Sequence, residues 1–167
     1  NTTGVKYGGP PANEIQDQFS DSLGFSAELT KEKNLSWQMR IVNQVGVCNK
    51  LADSIYVLSR DLEYARGNTE NTGEIARRNK ARTYELMDPY FREWLKSINP
   101  EEVDIDEKVG EWQDRAKKLT IKLGKILVEE AGEVALVGRE DDKKIYSSAK
   151  AYNVFSYKVK NVSEEVI

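Results

Sequence analysis

The chain has 167 residues, with 25 basic and 28 acidic side chains, a net charge of −3, one cysteine and no histidine. That length suits a single domain with enough apolar residues to fill a core, and a lone cysteine excludes a disulfide framework within the chain. Without histidine the commonest general base and the imidazole ligands of zinc and di-iron helical sites are missing, so we expect no catalytic residue, no metal site and no cofactor.

No apolar run approaches the ~18 residues of a membrane helix, and the amino end lacks a charged-then-apolar leader pattern. The expectation is a soluble cytoplasmic protein with no membrane partner. Residues 1–33 read as an extended connector, because Gly4, Gly8, Gly9, Pro10 and Pro11 break any helix and leave Gly4 to Tyr7 as a short strand. Asp21 to Leu29 then gathers Leu23, Phe25 and Leu29 into an irregular piece that folds onto a bundle end. A strand with no partner downstream leaves its backbone groups unpaired, so we read it as the last strand of a missing amino-terminal domain and the chain as a fragment.

The remainder, 34–167, reads as an all-α antiparallel four-helix bundle. From Asn34 to Arg66 apolar residues return every three or four positions, at Leu35, Val42, Val45, Cys48, Leu51, Ile55, Leu58, Leu62 and Ala65, with no proline. A helix of roughly 30 residues and ~48 Å with one apolar seam must bury that seam against others. Cys48 falls on the seam and reads as a small buried hydrophobe. Gly67 ends this helix, and Asn71 with Glu74 resembles a capping box for the second. The second seam runs through Tyr84, Met87, Phe91, Trp94, Leu95 and Ile98, in phase across Pro89, where a kink is expected. Asn99-Pro100 ends it, and Asp104 with Glu107 opens the third helix, whose seam is Trp112, Ala116, Leu119, Leu123, Ile126, Leu127 and Val134, with Gly138 closing it. Gly110, Gly124 and Gly132 each cost this helix about 1 kcal/mol relative to alanine, which close packing by a neighbour would explain. A fourth helix, about Lys143 to Val159, carries Ile145, Ala149, Tyr152, Phe155 and Val159 on one side.

Charge is unevenly distributed. Between Arg115 and Lys125 there are five basic residues and no acid, and Arg115, Lys118, Lys122 and Lys125 follow helical spacing, so they form a stripe about 100° from the apolar seam. Lys143, Lys144 and Lys150 open a second acid-free stretch that reaches Lys160. These seven residues are the candidates for contact with a nucleic-acid backbone; the competing reading is that lysines solubilise the helices and cover apolar surface with their stems. Trp94, Trp112, Phe91 and Tyr84 lie on seams, leaving Trp37, Tyr146 and Tyr157 as the aromatic residues open to exposure. The acids Glu129 and Glu133, one turn apart, and the run from Glu101 to Glu107 read as a solvated face and a helix beginning.

Specific stretches carry a resemblance. Asp21-Ser22-Leu23-Gly24-Phe25, then Leu51-Ala52 through Leu58-Ser59-Arg60-Asp61-Leu62, then Met87-Asp88-Pro89-Tyr90-Phe91-Arg92-Glu93-Trp94-Leu95, resemble the carboxyl-terminal part of the CasA large subunit of the type I-E CRISPR Cascade complex. The order of elements is similar too, with a last strand leading through an aspartate-serine-leucine turn into a four-helix bundle. The resemblance implies a non-catalytic domain of an RNA-guided antiviral complex, in which guide pairing reads the sequence and protein grips the DNA backbone. It implies as partners other Cascade subunits, including the small CasB subunit, the guide RNA-DNA complex, and the helicase-nuclease recruited by the parent assembly. Recognition of the protospacer-adjacent motif belongs to the amino-terminal domain in that family and is not expected here. The alternative, from a different class, is an independent helical adaptor that binds protein and never meets nucleic acid. A carboxylate-metal hydrolase would require acids converging inside the bundle, and the seams contain none.

Overall fold

The computed structural model describes residues 35–98, 104–132, 134–135, 145–146 and 148–162. The connector, with its Gly4 to Tyr7 strand, the Asn99-Pro100 stop, and Lys143 and Lys144 lie outside the described residues. Among the described residues four helices carry the fold: α1 (Leu35–Ala65), α2 (Thr72–Ser97), α3 (Ile105–Ala131) and α4 (Ser148–Lys160). The all-α bundle expected from the seams is what the chain forms.

Side-chain pairs fix the directions. Asn79 meets Ser59 and Tyr84 meets Asn49, so α2 runs antiparallel to α1. Trp94 meets Lys108 and Phe91 meets Trp112, so α3 reverses again. Arg40 pairs with Asp106 and Gln44 with Gln113, which sets α3 parallel to α1 across the bundle. α1 packs on both α2 and α3, while α4 lies chiefly on α3.

The core is the sum of the seams. Cys48, Leu51, Ile55, Leu62 and Ala65 of α1, Tyr84, Met87, Phe91, Trp94 and Leu95 of α2, and Trp112, Ala116, Leu123 and Leu127 of α3 are buried as the periodicity requires. Phe91, Trp94 and Trp112 form an aromatic cluster with centroids 5.0–5.9 Å apart, the Phe91–Trp112 pair edge-on. Two seam residues fall outside it: Val42 and Ile126 are exposed, whereas Ile41 and Val128, which the seams did not include, are buried. In the last helix Ala149 is exposed, and Ala151, Phe155 and Val159 make the apolar side, which buried Val162 continues just past its end.

Boundaries depart from the sequence reading where a cap decides them. α3 stops at Ala131, because Gly132 takes φ 68° and its N–H closes onto the Val128 and Glu129 carbonyls, both at 3.2 Å. Gly138 therefore does not close this helix. Val134, expected on its seam, lies instead in strand β1 (Val134–Ala135), paired antiparallel with β2 (Ile145–Tyr146), and α4 begins only at Ser148. At the start of α2 the Asn71 side chain makes no capping bond. Asn68 organises that turn: its amide donates to Glu63 Oε1 at 2.9 Å and its carbonyl accepts from the Thr72 hydroxyl. The Asp104 cap does form, accepting from the Asp106 N–H at 3.0 Å. Gly67, just past α1, has φ 82° as a helix-ending glycine should.

Candidate nucleic-acid interface

The stripe on α3 is built by spacing alone. With Trp112, Ala116 and Leu123 turned inward, Arg115, Lys118, Lys122 and Lys125 are carried round to solvent, and all four are exposed. Their surroundings divide them into two pairs.

At the amino end the charge is partly compensated. The Arg115 guanidinium sits 4.3 Å from the centroid of the Tyr90 ring, a cation–π contact that holds the side chain against α2. Lys118 Nζ is 2.9 Å from Asp114 Oδ2, with both side chains well exposed, at 74% and 65%. Such a pair contributes at most about 1 kcal/mol and is screened by salt, so a phosphate displaces it at little cost. Glu93 and Glu111 share the shallow depression beside Arg115, and they lower the local potential further.

At the carboxyl end Lys122 and Lys125 have no carboxylate within ion-pair distance among the described residues. They flank the exposed Ile126, whose apolar surface offers no competing polar contact. The negative charge expected near the following turn begins with exposed Glu129 and Glu130; Glu133 is outside the described residues.

Of the second group, Lys150 is exposed in the first turn of α4, and Lys158 and Lys160 are exposed near its end. α4 does not extend the α3 stripe. It docks through Phe155 onto Gly124, and Gly124 lies roughly 140° around α3 from the centre of the stripe at 3.6 residues per turn. α4, with Lys150, Lys158 and Lys160, therefore sits on a different flank of α3 from the stripe. Of the aromatic residues, Tyr157 is 71% exposed; the side chains of Trp37 and Tyr146 are outside the described residues.

Two participants were missed from sequence. Asp114 was legible as a neighbour one turn before Lys118 but lies just outside the acid-free stretch. Tyr90 braces Arg115 from another helix, an arrangement that no local periodicity encodes.

Elsewhere the chemistry is quiet. Cys48 is fully buried, and burial pushes its thiol well above the ordinary range. Tyr84 is raised by burial first, then by the charge of Asp53, and donates to Asn49 Oδ1 at 2.7 Å. Among the described residues no group of three or more carboxylate, cysteine or histidine side chains is placed to hold a metal ion, and no helix is long and apolar enough to cross a membrane. No family model, no curated protein and no solved structure matches the chain.

Proposed function

We propose that this chain is the helical-bundle domain of a CasA-like large subunit, a non-catalytic scaffold that contacts partner subunits and supports RNA-guided binding of foreign DNA through the charge on α3. The observation that carries the reading is the stripe Arg115, Lys118, Lys122 and Lys125, which the fold turns outward together.

The resembling stretch of α2 supports it from inside and outside. Met87, Phe91, Trp94 and Leu95 are buried where they join the core, while Tyr90, from the same stretch, meets Arg115 on the surface. A backbone-reading role asks for no more than this, because phosphate contacts position a duplex without reading its bases. The net charge of −3 keeps the molecule as a whole from being drawn to nucleic acid, so the contact depends on charge segregated to one flank. CasB-like small subunits and the guide RNA-DNA complex are the partners of this reading, with cleavage left to a recruited helicase-nuclease and the assembly acting in the cytoplasm.

The test is reconstitution of the parent assembly with Arg115, Lys118, Lys122 and Lys125 replaced by glutamate, followed by target binding measured against salt. Weaker binding with a shallower salt dependence supports the DNA role. Unchanged affinity and slope remove it.

One observation favours the adaptor reading. Between α1 and α4 lies an open groove with Leu58, Leu62 and Phe155 along it and Val57 and Val154 at its edges, a shape suited to a helix from another protein. Capture of a helical peptide with no measurable effect on nucleic-acid binding would favour it.

A further inference from the structure

α2 changes neighbours along its length. In its carboxyl half Tyr90 meets Arg115 and Trp94 meets Lys108, both on α3. Asn79 lies within about 20° of the Tyr90 line on the helix, yet it meets Ser59 of α1 and is buried there. The row that faces α3 at one end therefore faces α1 at the other, so α2 swings off α3 toward its amino end. Ile126 marks the gap this leaves. It falls within about 20° of the Arg115 line on α3 and is nevertheless 42% exposed. A furrow thus opens between the amino half of α2 and the carboxyl half of α3, with partly buried Leu86 and Leu119 at its closed end.

Basic side chains edge this furrow on both sides. On α3, Lys122 continues the Arg115 line, and Lys125 lies about 80° from it. On α2, Asn79 and Lys80 both reach α1, at Ser59 and Asp53. Arg82 and Arg78 project about 60° and 100° from Asn79 in the sense opposite to Lys80. That is the side of α3, because the turn from Tyr90 on α3 to Tyr84, which reaches Asn49 of α1, has the same sense as the turn from Asn79 to Lys80. Stepping about 11 Å along both helices from the Tyr90–Arg115 contact arrives at Arg82 and Lys122, and about one turn more arrives at Arg78 and Lys125. All four are exposed.

The charge on the α2 side is not neutralised among the described residues. No carboxylate lies within ion-pair distance of Arg78 or Arg82, and Arg82 donates to the neutral Asn79 Oδ1 at 3.4 Å. Glu74 and Glu85 are exposed beyond Arg78, on the side away from the furrow, and Glu129 and Glu130 follow one turn after Lys125, so acids bound the cationic stretch. Two facing basic walls suit a chain of phosphates, as in grooves that track a nucleic-acid backbone. A guanidinium fork can also pair two phosphate oxygens at once.

We propose that one sugar-phosphate strand of a nucleic acid lies in this furrow, gripped by Arg78 and Arg82 of α2 from one wall and by Lys122 and Lys125 of α3 from the other. The inference rests on the nucleic-acid reading of the α3 stripe and extends the contact to a second helix. An unpaired strand and one strand of a duplex present the same chemistry.

The test is titration of the full chain at low salt with a mixed-sequence oligonucleotide, unpaired in one arm and duplex in the other, followed by NMR of backbone amides and arginine Nε–H groups. Signals of Arg78, Arg82, Lys122 and Lys125 are expected to move together with one affinity in at least one arm, which identifies the strand that fits. Arg78→Glu with Arg82→Glu should then flatten the log-log salt dependence by about 0.7 to 0.9 for each phosphate released, whereas Arg78→Lys with Arg82→Lys should largely keep it. Shifts confined to α3, or a charge reversal on α2 that leaves the slope unchanged, overturn the furrow and leave the reading of the stripe standing. No shift on either helix overturns both.

Discussion

Phe155 closes over Gly124 so tightly that a methyl group at that position would overlap three carbons of the ring, the farthest of them at 2.7 Å. This packing docks α4 on α3, and it explains a glycine in the middle of a 27-residue helix. Overpacking such a site costs about 1–3 kcal/mol, while replacing a helical glycine by alanine returns about 1 kcal/mol. Gly124→Ala is therefore expected to lower stability. Gly110→Ala, where an added Cβ meets nothing within 4 Å, is expected to raise it by up to about 1 kcal/mol. Urea denaturation of the two variants checks the contrast; equal stabilisation of both would show that Phe155 does not hold this position.

The aromatic cluster predicts a large loss of stability. Phe91 is fully buried between Trp94 and Trp112, so Phe91→Ala should cost about 3–5 kcal/mol. Near-ultraviolet circular dichroism of the tryptophans should collapse with it. A cost below about 1 kcal/mol would mean that the cluster repacks without penalty.

A buried polar pair ties α1 to α2. Asn79 donates to Ser59 Oγ at 3.1 Å, and both residues are buried. Removing the acceptor alone, by Ser59→Ala, strands the amide and should cost about 1–3 kcal/mol. Adding Asn79→Leu to that variant should recover part of the stability, since an apolar pair leaves nothing unsatisfied. A double-variant cycle by chemical denaturation measures the coupling; simple additivity would deny it.

Alkaline stability follows from two buried acids. The Cys48 thiol and the Tyr84 phenol are both raised above their ordinary values, chiefly by burial. As pH passes about 8.5 the unfolded chain releases the thiol proton that the folded chain keeps, so stability falls by up to about 1.4 kcal/mol per pH unit, and Tyr84 adds its share above about 10. Below about 8.5 both contributions are fully present. Cys48→Ala should delay the onset of the decline and Tyr84→Phe should flatten its upper part, read as the urea midpoint between neutral and alkaline pH. Identical pH curves for all three proteins would contradict the burial of these groups.

How far the sequence carried is clearest helix by helix. The seam of α2 was legible from Tyr84 to Leu95, even across Pro89, because large apolar residues mark that face; its first half buries Thr72, Ala76, Asn79, Ala81 and Thr83, small or polar residues that carry no such signal. α1 and α3 are sandwiched more broadly, so their buried arcs extend beyond a single stripe: Ile41, about 100° round from the exposed Val42, and Val128, about 160° round from the exposed Ile126, are both covered. The end of α3 was misplaced because Val134 continues the period, whereas the backbone turns at Gly132. Of the candidate site, exposure of the stripe followed from its angle to the seam. Its division into a braced half and an open half did not, since Tyr90 comes from a different helix and only the packed bundle brings it to Arg115.

That division gives the most direct test of the nucleic-acid role. In the reconstituted parent assembly, target binding is measured against salt for two double variants, Lys122→Glu with Lys125→Glu and Arg115→Glu with Lys118→Glu. If the open half grips phosphates, the first pair should flatten the log-log salt dependence by about 0.9 for each phosphate no longer neutralised. The second pair, already partly compensated by Asp114 and held by Tyr90, should flatten it less. Slopes for both pairs equal to that of the unchanged assembly would contradict the claim that this flank of α3 meets nucleic acid.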